Sequence, residues 1–376
     1  MSNSTRCEEW SQQGLVDHIY DQDRKMHDRR FSFILGAGAS ISSGIPDASK
    51  LCRRWIAELY KRYAPADLSI EEWANAENLG IEGYSWHEPA ESYCHIYKRR
   101  FRDDPDEGFA DLEEEMLGKK PGRGYAILSH LLATTRHNLV ITTNFDNLIQ
   151  DAMFMYTEKV PQVCGHEALA TFFHAKSRRA AIAKIHRDLL MAPMSQIEEV
   201  QKLQAAWQVP LTQAFSSFTP IVIGYGGNDG SLMGFLNEME RTQIRGRLFW
   251  CYYKPSGAPR DSICSVVTKL NGVLVPLEQG FDGLMVAIQE KMGFPRIEAI
   301  LEARLTEFRE HAAKLTPRMG TSTTGLAPVN SEEPLVAAPD RTARPESAPG
   351  VHCHAGGTAH THFHAAHATC EIESAK

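Results

Sequence analysis

Short apolar runs recur along most of the chain, at residues 31–35, 139–142, 160–163, 181–185, 220–223, 248–253 and 272–276. Runs of this length, apolar at successive positions, predict strands covered on both faces. Between them the apolar residues take helical spacing. Leu51, Trp55, Ile56, Leu59 and Tyr60 predict a helix over 50–63, and further helices are predicted over 124–135, from about 145, over 195–218 and over 232–239. Strands alternating with helices predict an α/β, Rossmann-like parallel sheet with helices on both faces.

The same pattern divides the chain. Residues 1–30 are polar, with Leu15 and Ile19 on one face, and predict an N-terminal helical segment. Residues 31–314 form the α/β domain. Within it, residues 64–123 interrupt the alternation as a helical insertion carrying Trp73, Tyr84, Trp86, Tyr93, Tyr97 and Phe101, a set expected to build a core rather than a binding box. Residues 315–376 change character. Six prolines and no aromatic residue up to position 350 predict a disordered tail, because such a segment cannot bury enough apolar surface to offset its ordering entropy. The tail ends in His352, Cys353, His354, His360, His362, His364, His367 and Cys370, a low-complexity tract with weak affinity for transition metals.

Composition narrows the function. A net charge of −7 over 376 residues gives no broad nucleic-acid surface. The basic run Lys98-Arg99-Arg100 with Arg102 is expected to be a solvated helix face. The cysteines are scattered, without a Cys-x2-Cys pair, so neither a structural zinc ribbon nor a disulfide scaffold is expected. The polar N-terminus lacks a signal-peptide core, and no apolar run approaches the ~20 residues that span a bilayer. A cytoplasmic protein is expected, with no membrane or direct nucleic-acid partner.

Candidate chemistry lies just after four of the predicted strands, where ligands of open α/β sheets bind. The first strand runs into Gly36-Ala37-Gly38-Ala39-Ser40 and then Gly44-Ile45-Pro46-Asp47. Glycines in such a turn let backbone approach a pyrophosphate, with N–H groups at the following helix start facing its charge. Position 41 is Ile, so the usual dinucleotide fingerprint is incomplete, and no Gly-Lys-Ser/Thr follows to make a P-loop. The other segments are Thr143-Asn144-Phe145-Asp146, Lys184-Ile185-His186 and Gly224-Tyr225-Gly226-Gly227-Asn228-Asp229. An amide side chain can hold a hydroxyl or a water, a carboxylate can order a site or favour positive charge, and a histidine can accept a proton near neutral pH. Asn144, Asp146 and His186 supply these types. Each also has a structural reading: Asn144 as a helix N-cap, Asp146 as a first-turn acid, His186 as a satisfied buried histidine.

The four segments, in this order over residues 30–295, resemble the motifs of the sirtuin (Sir2) family. The resemblance implies that Gly36, Ala37, Gly38, Ala39 and Ser40 hold the pyrophosphate of NAD and that Gly44, Ile45 and Pro46 lie near its nicotinamide. It implies Asn144, Asp146 and Thr143 beside the nicotinamide ribose, His186 as general base, and Gly224, Tyr225 and Asp229 on the adenosine-side wall. Protein-deacylating sirtuins usually have Phe-Arg where this chain has Ala48-Ser49, Gln where it has Thr143, Gly where it has Arg187, and a four-cysteine zinc module where it has the helical insertion. The forms Thr-Thr-Asn-Phe-Asp and Gly-Tyr-Gly-Gly-Asn-Asp, and Phe281-Asp282 after the last strand, are similar to the Sir2-like branch of bacterial antiphage defence. That branch typically hydrolyses NAD.

The resemblance therefore implies an NAD⁺ glycohydrolase with NAD as its substrate and no structural zinc. Unchecked activity would kill the host, so a homo-oligomer, an activating partner protein or a phage-derived trigger is expected. An NAD-dependent protein deacylase and a non-catalytic NAD- or ADP-ribose-sensing module are the alternatives.

Overall fold

Seven parallel strands form one sheet in the order β3-β4-β2-β1-β5-β6-β7. They are β1 (Phe31–Leu35), β2 (Leu139–Thr142), β3 (Gln162–Cys164), β4 (Ala181–Lys184), β5 (Thr219–Ile223), β6 (Phe249–Tyr253) and β7 (Val273–Leu277). The computed structural model describes residues 7–65, 67–174, 177–188 and 203–315, all within one compact unit, Met1–Pro317. The proline- and histidine-rich tail expected over 315–376 lies outside the described residues from position 316 on, as does the first part of the helix expected over 195–218.

Alternate residues of each strand feed two separate cores, the period-2 pattern of a covered sheet. Phe33, Leu35, Val140, Ile182, Ile223 and Val275 face one way, onto helices α1 (Gln12–Lys25), α7 (Arg123–Thr134) and α8 (Leu148–Tyr156). Ile34, Ile141, Ala183, Val222 and Trp250 face the other way, onto α9 (Ala205–Ser217), α10 (Gly230–Glu238) and α11 (Asp261–Lys269). Two later helices, α12 (Gly280–Met292) and α13 (Ile297–Leu315), complete the first layer. Within the N-terminal segment α1 forms over Gln12–Lys25, and its Leu15, Val16 and Ile19 join the core of the sheet.

The insertion makes a third core with α2 (Ala48–Tyr63). Its helices are α3 (Ile70–Trp73), α4 (Ala76–Leu79), α5 (Tyr93–Arg100) and α6 (Pro105–Met116). Trp55 is fully buried, with the rings of Tyr93, Tyr97 and Phe101 5.3–5.6 Å away. Trp73, Tyr97 and Phe101 of the aromatic set are core, and Tyr84, Trp86 and Tyr93 are half-buried against it. The basic run is different from expectation. The Arg100 side chain is only 7% exposed and pairs with Glu58 at 2.6 Å and Glu107 at 2.9 Å, so part of the run is an internal tie between helices and not a solvated face.

Candidate active site

Strand register brings the candidate side chains together. Leu35, Thr142, Lys184 and Ile223 lie in one row across β1, β2, β4 and β5. Asn144 and His186 each stand two residues beyond that row, at the carboxyl ends of strands that flank β1 or lie one further out. The order places β2 and β5 on opposite sides of β1, and the chain leaves β1 and β5 in opposite directions across the sheet. A crevice opens at such a switch point. It holds a cavity of about 250 Å³.

The glycine loop has a structural use beside the one its sequence suggests. A Cβ on Gly36 would sit 2.5 Å from the Tyr225 Cα, and one on Gly38 would sit 2.8 Å from the Gly224 Cα. Gly224 itself has φ +68° and would meet the Ala39 nitrogen at 2.4 Å. These glycines let the loops after β1 and β5 cross in backbone contact, sealed by Gly36 N–H to Ile223 O (3.1 Å) and Gly38 N–H to Gly224 O (2.9 Å). The N–H groups of Ala39 and Ser40 bond back to Gly36 and Ala37, so much of the expected phosphate cradle is already occupied within the protein. Nor does the loop open a helix directly. Two short 3-10 turns intervene before α2, which starts after Asp47 caps it through Lys50 N–H.

Asn144 is not a helix cap. Its Nδ2 donates to Gly36 O and to Ser40 Oγ, both at 3.1 Å. Gly36 O can only accept, which fixes the amide orientation and leaves Oδ1 as the acceptor turned away from this network. Ser40 donates its one proton to Asp146 Oδ2 at 2.7 Å, so the Tyr125 hydroxyl, 2.9 Å away, must donate to Ser40. Asp146 also accepts Leu148 N–H from two positions before α8, so it stands ahead of the first turn in which the sequence suggested it and still satisfies an N–H at the helix start. Burial pushes the Asp146 carboxyl above its ordinary range, against hydrogen bonds from Ser40 and Leu148. Burial, with the neighbouring Asp146 charge, drives the Tyr125 phenol upwards as well.

His186 belongs to a second cluster. Its Nε2 lies 2.6 Å from Ser231 Oγ, which lies 2.6 Å from Asp229 Oδ1. Asp229 also caps α10, accepting the N–H groups of Ser231 and Leu232. Burial raises the Asp229 carboxyl, but the charge and hydrogen bonding of His186, with Ser231 and Tyr225, outweigh it and hold the group well below the usual carboxylate range. The resemblance put Asp229 on the adenosine-side wall; the structure turns it to His186, 3.6 Å from Nε2. Tyr225, also expected on that wall, is buried with its ring against Trp250 at 5.7 Å.

Two further residues set the frame. Lys184, fully buried at the end of β4, donates to Phe145 O (2.9 Å), Asn147 Oδ1 (2.7 Å) and Asp188 Oδ2 (2.7 Å). It thereby ties the Asn144 loop to the His186 loop. Burial lowers its ammonium pKa, opposed by Asp188. Arg187 has φ +67°, the left-handed region that favours glycine. Its guanidinium is held by both oxygens of Glu167, at 2.8 and 2.5 Å.

Of the residues expected at the site, Ala37, Ser40, Ile45, Pro46, Thr143, Asn144, Asp146, His186, Gly224, Tyr225 and Asp229 line the cavity. Gly36, Gly38, Ala39 and Gly44 do not; Ala39 is buried in the core and Gly44 lies against Lys119. Sequence reasoning passed over Ser231 and Lys184. A charged residue ending an otherwise apolar strand, two positions before His186, was the available signal for Lys184. It also missed the roof, where Glu91, Tyr93, Cys94, His95, Glu115 and Met116 of the insertion close over the cavity. Arg260 joins this roof to the floor through Glu91, Asn228 and Gly226 O.

Residues 138–265 match the family model described as SIR2-like domain. The match supports a Sir2-like domain. That stretch runs from β2 into α11, so it contains Asn144, Asp146, His186, Ser231 and Asp229 but neither the glycine loop nor the insertion. No curated protein matches the chain. A Sir2-like domain points to a function involving NAD. It also gives the Arg187 position a meaning: where the family resemblance has glycine, this backbone needs a left-handed residue, and the Glu167 pair holds arginine there. Among the described residues, no group of three His, Cys, Asp or Glu side chains is placed to hold a metal ion, and no helix is long and apolar enough to cross a membrane.

Proposed function

We propose that this cleft hydrolyses NAD⁺ at the nicotinamide–ribose bond, giving nicotinamide and ADP-ribose. The observation that carries the reading is the meeting of Asn144 and His186 in one cavity, each anchored from behind by a serine. The leaving group is cationic and departs with the bonding electron pair as neutral nicotinamide, so no general acid is needed. Asn144 Oδ1 accepts from a ribose hydroxyl or from the attacking water. The water oxygen bonds to the anomeric carbon, and His186 takes the water's proton before releasing it to solvent. Asp146 orders the loop through Ser40 and places negative potential behind the developing oxocarbenium ion.

The biological setting we propose is bacterial antiphage defence in the cytoplasm, with NAD depletion released by a partner protein, by self-assembly or by a phage-derived trigger. Purified monomer that is fully active alone would remove the need for that control.

The test is NAD⁺ loss and nicotinamide release in cell extract without acylated peptide, comparing wild type with Asn144→Ala and His186→Ala. Loss in wild type and a drop of roughly 10²–10⁴ in each variant is expected, the usual worth of a positioned proton acceptor. Cleavage that requires an acyl-lysine peptide, with O-acyl-ADP-ribose as product, would assign a deacylase instead.

A further inference from the structure

Ser231 joins the base to a buried carboxylate, and the count of protons along this line has only one solution. Ser231 carries one hydroxyl proton. It has two close neighbours at 2.6 Å, Asp229 Oδ1 and His186 Nε2. Asp229, charged and already accepting the N–H groups of Ser231 and Leu232, has no proton to give. The hydroxyl proton therefore points to Asp229. The serine oxygen is left as an acceptor, and His186 Nε2 must carry a hydrogen and donate it. Nδ1 is then the ring nitrogen with the lone pair, and among the described residues it has no protein partner.

We propose that Ser231 and Asp229 are positioning residues that hold His186 in its Nε2–H tautomer, so that Nδ1 is the nitrogen that takes the proton in the cleft. The catalytic use of Nδ1 rests on the NAD-hydrolysing reading; the tautomer itself does not. The arrangement resembles the logic by which a carboxylate orients a catalytic histidine, with a hydroxyl placed between the two groups. It also prepares for the charged state. When Nδ1 gains a proton, the imidazolium keeps its bond to Ser231 and stands 3.6 Å from the Asp229 oxygen. Asp229 is itself held by capping α10, which anchors the far end of the line to a helix start.

The experiment is nitrogen NMR on the full chain labelled in its histidine rings, at about pH 8, above the ordinary histidine pKa. His186 is assigned as the signal pair absent from His186→Gln. Wild type is expected to show a protonated Nε2 and an unprotonated Nδ1. Ser231→Ala should give a mixture of tautomers, and Ser231→Thr should restore the wild-type pattern. Wild type with the proton on Nδ1 overturns the proposal, whatever the variants do, as does an unchanged tautomer in Ser231→Ala. If Ser231→Ala does not fold, Asp229→Ala provides the second variant: it gives up a helix cap worth about 1 kcal/mol but removes the oxygen that compels the serine to donate. In NAD⁺ turnover, Ser231→Ala is expected to lose about tenfold or more in kcat, part of the ~10²–10⁴ a general base supplies, with KM changing less. A tautomer as expected with no NAD⁺ cleavage by any form, in extract of phage-infected cells as well as alone, would keep the positioning role and reject the hydrolase reading.

Discussion

The cleft floor holds two clusters built on one plan. In each, a side chain of the cavity is backed by a serine, and the serine donates to a buried aspartate: Asn144–Ser40–Asp146 and His186–Ser231–Asp229. Both aspartates lie just ahead of a helix and accept a backbone N–H two residues on; Asp146 is buried and Asp229 is nearly so, its side chain 13% exposed. Yet the Asp146 carboxyl is pushed up and the Asp229 carboxyl is held down. Burial acts on both in the same direction, so the difference lies in the partners. Asp229 has a histidine able to carry charge, while Asp146 has one hydroxyl, one backbone N–H and, without direct contact, the ammonium of Lys184. The lesson is that a carboxylate's setting is fixed less by its depth than by whether a cation is within reach.

The largest way to break this comparison is through Lys184, which links the two clusters. Lys184→Met removes the ammonium that pairs with Asp188 at 2.7 Å, and about 3–5 kcal/mol of stability should be lost in denaturant unfolding. Adding Asp188→Leu should recover much of that loss; if it recovers none, the ammonium matters for its bonds to the Asn144 loop and not for pairing.

Next come the aspartates themselves. Asp229→Asn should cost about 1.5–3 kcal/mol at neutral pH, the usual worth of hydrogen bonds to a charged group, whereas Asp146→Asn should cost little or be stabilising. The pH dependence has opposite sign. The folded pKa of Asp229 lies below its ordinary 3.8, so its contribution is complete above that value and is lost as pH falls through the lowered pKa. The folded pKa of Asp146 lies above 3.8, so its ionisation penalises the fold at neutral pH and the penalty fades as pH falls through the raised pKa. Acid titration of stability should therefore be flatter in Asp229→Asn and steeper in Asp146→Asn than in wild type. Equal changes in both would erase the distinction.

Gly36→Ala tests the crossing that holds the clusters side by side. Its new methyl would meet backbone, not a movable side chain, and a loss of about 1–3 kcal/mol is expected by thermal unfolding. The smallest effect is expected at Arg187. Arg187→Gly removes a left-handed strain of about 1–2 kcal/mol and also the pair with Glu167, so the two should nearly cancel in stability. A large loss would show that the Glu167 pair, rather than the backbone, carries the loop beside His186.

The roof differs from the floor in how it could be read. Floor residues follow strands, and a strand's end is marked in sequence by where its apolar run stops. Asn144, Asp146 and His186 were legible for that reason. Roof residues such as Tyr93 and Glu115 lie on helices of the insertion, where helical spacing tells which face is buried but not which end meets a cleft formed by another part of the chain. Ser231 was illegible for a related cause: one residue past Gly230 in a helix start, it reads as an ordinary capping-region serine until His186 arrives from β4, 45 residues earlier.

By itself the sequence determined the alternating strands and helices, the parallel sheet, which polar residues follow the strand ends and much of the aromatic core of the insertion, because each depends on local periodicity or on residue type beside a strand end. The tertiary structure alone decided strand order and the partners that follow from it: that Gly36 and Gly38 serve a backbone crossing, that Asp229 serves His186, that Lys184 joins two loops, and that the insertion roofs the cavity. Those facts depend on which distant segments become neighbours, and neighbours are chosen by packing the whole sheet at once.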